Sequence, residues 1–273
     1  MKQVTLLCIG LLFAGFLQAQ VSIGVRGGLS IPNLTSAGKD ETPLSKGYSS
    51  TVGPGFAIFA DFKISNLFSI EPAVEYSAQG GKKDGISAIP TAEITSQIPA
   101  ELLPTIEAAL GGNIPKYIYA DYKAKAKFNY LMVPVLAKFG WDLHQDSPWR
   151  VYGGVGPFIG FLLNAKSTTT GNNEPNNTVY LDEAGTQTLP DFIGGSANPL
   201  ALPLNKETDI KDDLHKINVG FEAKVGFNYK LKRSNIFIEG GGNYGFIKIQ
   251  KDAENGKNNT GAGIVMVGYS YTL

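Results

Sequence analysis

The chain has 273 residues, and its 24 Lys and Arg are matched by 24 Asp and Glu. That balance leaves no basic footprint for nucleic acid, and the single cysteine, Cys8, excludes a disulfide framework and a Cys-ligated metal. With 33 glycines, 12 tyrosines, 15 phenylalanines and 18% charged residues, the composition suits a β-rich protein with close backbone packing.

The first segment reads as an export address. Lys2 gives a positive start, and an apolar run from position 4 to 17 follows, too short for a transmembrane helix. Ala19 is a small residue at an expected cleavage bond, so a signal peptide over 1–19 and one barrel domain over 20–273 are expected. Leu7 is too bulky before Cys8 for lipid anchoring. No later stretch approaches the roughly 18 apolar residues of a membrane helix. A chain can still cross lipid as a closed barrel, in which every backbone N–H and C=O is paired.

Alternation of apolar and polar residues then recurs along the chain. In 21–30, Val21, Ile23, Val25 and Leu29 oppose Ser22, Gly24, Arg26 and Gly28. In 55–64, Phe56, Ile58, Ala60 and Phe62 oppose Phe59, Asp61 and Lys63. In 67–79, Phe68, Ile70, Val74 and Tyr76 oppose Glu71 and Glu75. In 128–141, Leu131, Val133, Val135 and Phe139 oppose Tyr130, Met132 and Lys138. In 149–163, Trp149, Val151, Val155 and Ile159 oppose Arg150 and Tyr152. The clearest case is 216–229, where Ile217, Val219, Phe221, Val225 and Phe227 oppose Asn218, Glu222 and Lys224. Ile236 and Ile238 against Glu239, and Val265, Val267, Tyr269 and Tyr271 against Ser270, complete the set. Period two is the mark of a strand with one apolar and one polar face, and the count predicts an all-β, eight-stranded antiparallel transmembrane barrel.

The connections alternate as well. Residues 65–66, 142–148 and 232–234 are short, whereas 31–50, 80–127, 165–214 and 250–261 are long. Outer-membrane barrels place long loops outside the cell and short turns in the periplasm, so periplasmic termini are expected. The polar face carries Arg26, Asp61, Lys63, Glu71, Glu75, Lys138, Arg150, Glu222, Lys224 and Glu239. These ten make a poor soluble core, because unpaired buried charge is costly. They suit the lumen of a membrane barrel as a paired charge network. Phe62, Phe68, Phe139, Trp141, Trp149, Tyr229 and Tyr271 gather at strand ends, where interfacial aromatic belts belong.

Within 80–127, Ile98, Leu102, Ile106 and Leu110 recur at helical spacing. Ser96 could cap such a helix, Pro104 would kink or split it, and Gly111-Gly112 would stop it. This apolar stripe must pack over the barrel mouth or form a partner surface. His144 and His215 read as solvated loop histidines, with no catalytic or metal site and no cofactor expected. Gly154, Gly156 and Gly160 match no nucleotide-binding loop. They read as room for Phe158 within a strand.

Residues 130–139 (YLMVPVLAKF) resemble the fourth-strand motif of the PorT-like outer-membrane β-barrel family. Residues 69–82 (SIEPAVEYSAQGGK) and 153–166 (GGVGPFIGFLLNAK) resemble the strands on either side. The sequence departs from that pattern at Met132, Gly240 and Leu273. The resemblance implies an eight-stranded barrel of a Gram-negative outer membrane. Its implied partners are outer-membrane lipid, the barrel-assembly machinery during biogenesis and a secretion or envelope complex. The expected reading is a monomeric, lumen-filled barrel in a structural, interaction or secretion-accessory role through its loops. The alternatives are a narrow channel for small solutes or ions, and a lipid-modifying enzyme acting through His215.

Overall fold

The computed structural model describes residues 20–36, 41–95, 100–101, 103–145, 147–173, 178–188, 204–252 and 256–273. The expected signal peptide, Ile98 and Leu102 lie outside the described residues.

Eight long strands form a closed antiparallel ring: β1 (Gln20–Thr35), β2 (Gly53–Lys63), β3 (Phe68–Pro90), β4 (Tyr117–Asp142), β5 (Trp149–Gly171), β8 (Ile217–Leu231), β9 (Ser234–Gly245) and β10 (Asn259–Thr272). Each pairs with the next, β10 returns to β1 through Val25↔Tyr269 and Leu29↔Val265, and β4 meets β5 through Val133↔Ile159 and Ala137↔Val155. Two short strands, β6 (Val179–Tyr180) and β7 (Lys206–Asp209), hang on the outer ends of β4 and β5. No helix among the described residues is long and apolar enough to cross a membrane.

The ring is inside out relative to a soluble barrel. Along β8 the exposed and buried positions alternate without a break over its first eleven residues. Val225 is 67% exposed while Glu222 beside it on the polar row is fully buried. Ile23, Val25, Ile58, Val135, Val155, Ile238 and Val267 make the same outward face on other strands. A continuous apolar exterior of this kind is what hydrocarbon requires. Aromatic pairs flank it at both ends. Phe68 meets Phe139 at 5.0 Å and Trp149 meets Tyr229 at 4.8 Å near the short turns, while Phe56–Tyr76 and Phe221–Phe246 sit near the long connections.

Two large rings in the bore lie over glycines on the neighbouring strand, Phe59 paired with Gly24 and Phe237 with Gly268. The Phe59 ring lies against Gly24 and the Phe237 ring against Gly268, so close that a Cβ at either glycine would overlap the ring. The two rings meet edge to face at 5.7 Å.

Two expectations are corrected. The long connection expected over 80–127 is mostly strand: β3 and β4 stay paired from Gly80↔Lys127 out to Pro90↔Tyr117. Beyond the apolar band the two-residue apolar repeat that hydrocarbon demands of a membrane strand disappears while the hydrogen-bond ladder continues. β5 likewise runs to Gly171, after a bulge opposite Asn129 and Tyr130 that flips its parity and turns Lys166 outward. Of the helix expected across Ser96 to Leu110, the described residues show α2 (Leu103–Ala109), while a separate short helix, α1 (Thr91–Thr95), ends before Ser96. Pro104 stands in the first turn of α2, where its missing N–H has no intrahelical partner to lose. Gly111 and Gly112, at φ 78 and 85, end α2 as expected, and the Gly112 N–H bonds back to the Glu107 carbonyl at 2.8 Å. Ile106 is buried and Leu110 half-buried.

The outward row sets a direct test. Val225→Arg should destabilise the barrel by about 2–4 kcal/mol, measured by equilibrium refolding into phosphatidylcholine vesicles. Unchanged stability would mean that this face does not meet hydrocarbon.

Candidate functional site: the filled lumen

Every ring strand except β10 contributes a polar or charged group to one network across the middle of the lumen. Arg26 on β1 is its hub. Its guanidinium contacts Glu71 at 2.5 Å, Glu239 at 3.2 Å and Glu75 at 3.6 Å. Lys138 on β4 bridges Glu71 at 2.5 Å and Asp61 at 3.0 Å. Lys224 on β8 bridges Glu222 at 2.6 Å, Glu75 at 3.1 Å and Glu239 at 3.6 Å. The Tyr152 hydroxyl donates to Glu239 at 2.9 Å, and the Phe59 ring lies 5.0 Å from the Arg26 guanidinium. The period-two pattern produces this arrangement, because each charge stands on the inward row of its strand.

Eight of the ten charges expected in the lumen are brought together here. Lys63 and Arg150 are not. β2 ends at Lys63 and β5 begins at Trp149, so both side chains sit at the rim beside water. Arg150 pairs with Asp142 at 3.1 Å and donates to the Asn66 carbonyl at 2.7 Å. Lys63 makes no ion pair among the described residues and lines a vestibule of about 270 Å³ with Arg150, Lys230 and Lys232. The expectation of matched charge is also corrected. The network holds three cations, Arg26, Lys138 and Lys224, against five carboxylates, and Glu75 Oε1 and Glu222 Oε2 receive no hydrogen bond among the described residues.

Toward the long connections an apolar layer closes the bore. Phe128, Tyr130, Met132, Phe158 and Leu162 pack with Leu34, Leu214 and Ile249 into one cluster. Leu34 enters from the end of β1, and Leu214 and Ile249 enter from the segments flanking β8 and β9. The sequence pattern placed Tyr130, Met132 and Phe158 inside but gave no sign of these three, because residues outside the alternating runs carry no facing information. The first long connection is tied down over this layer. Asn258 donates to the Ser45 carbonyl at 2.7 Å, and Lys83 donates to the Leu44 carbonyl at 2.6 Å.

Outside the ring, the arms carry a run of lysines. Lys82 stands directly opposite Lys125, and Lys127 directly opposite Lys166. Lys166 is joined to Glu207 at 2.5 Å, whereas Lys82, Lys125 and Lys127 make no ion pair among the described residues. Both histidines are exposed. No group of three His, Cys, Asp or Glu suited to a metal ion occurs among the described residues.

The hub predicts a large penalty for its removal. Arg26→Met would leave Glu71, Glu75 and Glu239 buried without their central cation, a loss on the order of 3–5 kcal/mol. Thermal unfolding followed by the folded-to-unfolded shift in gel mobility measures it. A loss within about 0.5 kcal/mol, the range of an ordinary surface change, would show that the network does not hold the barrel.

Several solved barrels are similar to this chain. Neisserial surface protein A (NspA) shares 12% identity, with 93% of this chain and 97% of that one covered, at a TM-score of 0.37. Ail, the attachment invasion locus protein of Yersinia pestis, shares 9%, with 93% and 99% covered, at 0.37. The outer membrane protein OprG from Pseudomonas aeruginosa shares 10%, with 93% and 97% covered, at 0.34. No curated protein matches the chain. Residues 16–251 match the outer membrane protein beta-barrel domain, and the chain, a closed ring with its apolar face outward and its charges within, belongs to that family.

Proposed function

We propose that the protein is a sealed, monomeric outer-membrane barrel that acts through its long-connection end as an interaction partner, accessory to a secretion or envelope complex. One observation carries this reading: the bore is closed by two successive layers, one charged and one apolar, while β3, β4 and β5 continue well past the lipid-facing band. A diffusing solute would have to break the Arg26 and Lys224 ion pairs and then displace Phe128 and Phe158. The arms, by contrast, present backbone and side chains to whatever lies beyond the membrane. In this reading the termini and short turns are periplasmic and the arms extracellular, in keeping with the habit of such barrels. The PorT-like resemblance of 130–139 and its neighbouring strands supports an envelope role.

The lysine run supports outer-membrane lipid as a constant partner of the arms. Like charges directly opposite on a sheet face destabilise it, and here two such pairs stand side by side, just past the outward residues Leu131 and Phe161. Anionic headgroups at that level would relieve the repulsion. Ile106 is buried beneath α2, so the face of α2 offered to a protein partner is the opposite one, bearing Thr105, Glu107 and Ala108.

Two measurements test the reading. In planar bilayers the barrel should give no steady conductance step; a stable open level would replace this reading with that of a narrow channel. In cells, a photo-cross-linker at Glu107 should capture one defined envelope protein at fixed stoichiometry. Only lipid and intramolecular products would remove α2 from the interaction surface.

A further inference from the structure

Above the apolar layer, at the long-connection end, the ring and its arms line a second, partly open cavity of about 390 Å³. Phe128 forms its floor, and Leu34, Tyr48, Tyr122 and Ile249 stand in its walls. Into this largely apolar space projects one buried cation. Lys83, on the inward row of the β3 arm, is 6% exposed. Its ammonium donates to the Leu44 carbonyl at 2.6 Å and lies 4.4 Å from the centre of the Tyr48 ring. No carboxylate pairs with it among the described residues.

We propose that this cavity binds a small amphipathic anion, a carboxylate on a short apolar chain or ring, with the Lys83 ammonium as its counter-ion. The volume falls in the range of small-molecule sites, which are mostly apolar with a few placed polar groups. A loop latch alone does not account for the residue. The aliphatic stem would pack equally well as methionine, and a buried charge without a partner of opposite sign is costly. An ammonium has three donors. One is used on the Leu44 carbonyl and one face rests on the Tyr48 ring, which leaves a donor for a ligand oxygen. Burial pulls Lys83 down to about 8, so it is still mostly protonated at neutral pH and loses its charge just above. The titratable and charged groups around it are Lys46, Tyr48, Tyr122, Lys206 and Asp213. Burial pushes Tyr48 up to about 12, which keeps its hydroxyl neutral across the same range. With Phe128 and the packed layer beneath, the ligand is held and not passed on, so the site stands whether or not the arms recruit a protein partner.

The test uses the whole barrel in phosphatidylcholine nanodiscs, with radiolabelled octanoate as the probe, octanol as its neutral counterpart, and empty nanodiscs to subtract partition into lipid. Equilibrium dialysis should show one octanoate retained per barrel. Lys83→Met should weaken octanoate binding by about tenfold or more, roughly 1.4 kcal/mol per decade, with octanol unaffected and Lys83→Arg restoring octanoate. Octanoate retention by the unaltered protein should fall as the pH is raised from 7 through 8 to 9.5, because the ammonium is lost while the carboxylate stays ionised. Retention no greater than in empty nanodiscs, or equal in Lys83→Met, would overturn the proposal. If Lys83→Met does not fold, the unaltered protein still decides: octanoate binding that ignores pH, or that is no stronger than octanol binding, overturns it.

Discussion

Hydrocarbon offers no partner for a peptide N–H or C=O, and the whole architecture follows from that constraint. A sheet satisfies it only by closing, so that no edge remains. β10 therefore returns to β1 and β4 meets β5, and each strand of the ring has a neighbour on both sides. Closure fixes the side chains in turn. With eight strands the interior is just wide enough for side chains to fill it. Whatever stands on the inward rows must pack against itself, and whatever stands on the outward rows must tolerate lipid.

That inversion explains why the middle of the molecule is ionic. The outward rows use the apolar residues, leaving Arg26, Glu71, Glu75, Lys138, Glu222, Lys224 and Glu239 facing one another across the bore. Each cation bridges at least two carboxylates from different strands. A network of this kind links strands that share no ladder hydrogen bonds. Arg26 on β1 reaches Glu239 on β9, and Lys224 on β8 reaches Glu75 on β3. The backbone ladder joins neighbours around the wall; the ion pairs join opposite walls. Beside the charges, Phe59 and Phe237 have room because their partners on the neighbouring strands, Gly24 and Gly268, carry no side chain.

The strand-forming segments and the inward placement of Arg26, Glu222 and Tyr152 were legible because lipid imposes a strict two-residue period on every segment that crosses it. The legibility ends where the lipid ends. Lys82, Asp84, Lys123 and Lys125 belong to a paired arm, yet no face there is uniformly apolar, and a ladder without a period looks like a loop. Position along a strand is a second blind spot. Lys63 and Lys138 share the polar row in sequence, but one stands at the last residue of β2 and reaches water, while the other lies deeper and bridges Asp61 to Glu71. Alternation gives the facing of a residue and not its depth. Leu34, Leu214 and Ile249 in the apolar layer had no sequence signal, since they stand at the end of β1 and in the segments before β8 and after β9, outside the alternating runs.

The two ends of the barrel consequently differ in what they can do. At the turn end, Lys63, Arg150, Lys230 and Lys232 line a vestibule, and Asp142 engages both Arg150 at 3.1 Å and Lys230 at 2.7 Å. Charge there is exposed, paired in part and screened by salt, so it holds little energy in reserve. At the other end, loops and arms stand over the apolar layer, and one buried ammonium, that of Lys83, lies against the Tyr48 ring. In that low-dielectric setting one charge exerts far more influence on a neighbour than the several at the rim. The constraint that forces the lumen to fill with charges also forces the membrane-spanning part to be spent on its own stability. Recognition is left to the segments beyond it, where the ladder persists and the lipid no longer dictates which residues may stand on each face.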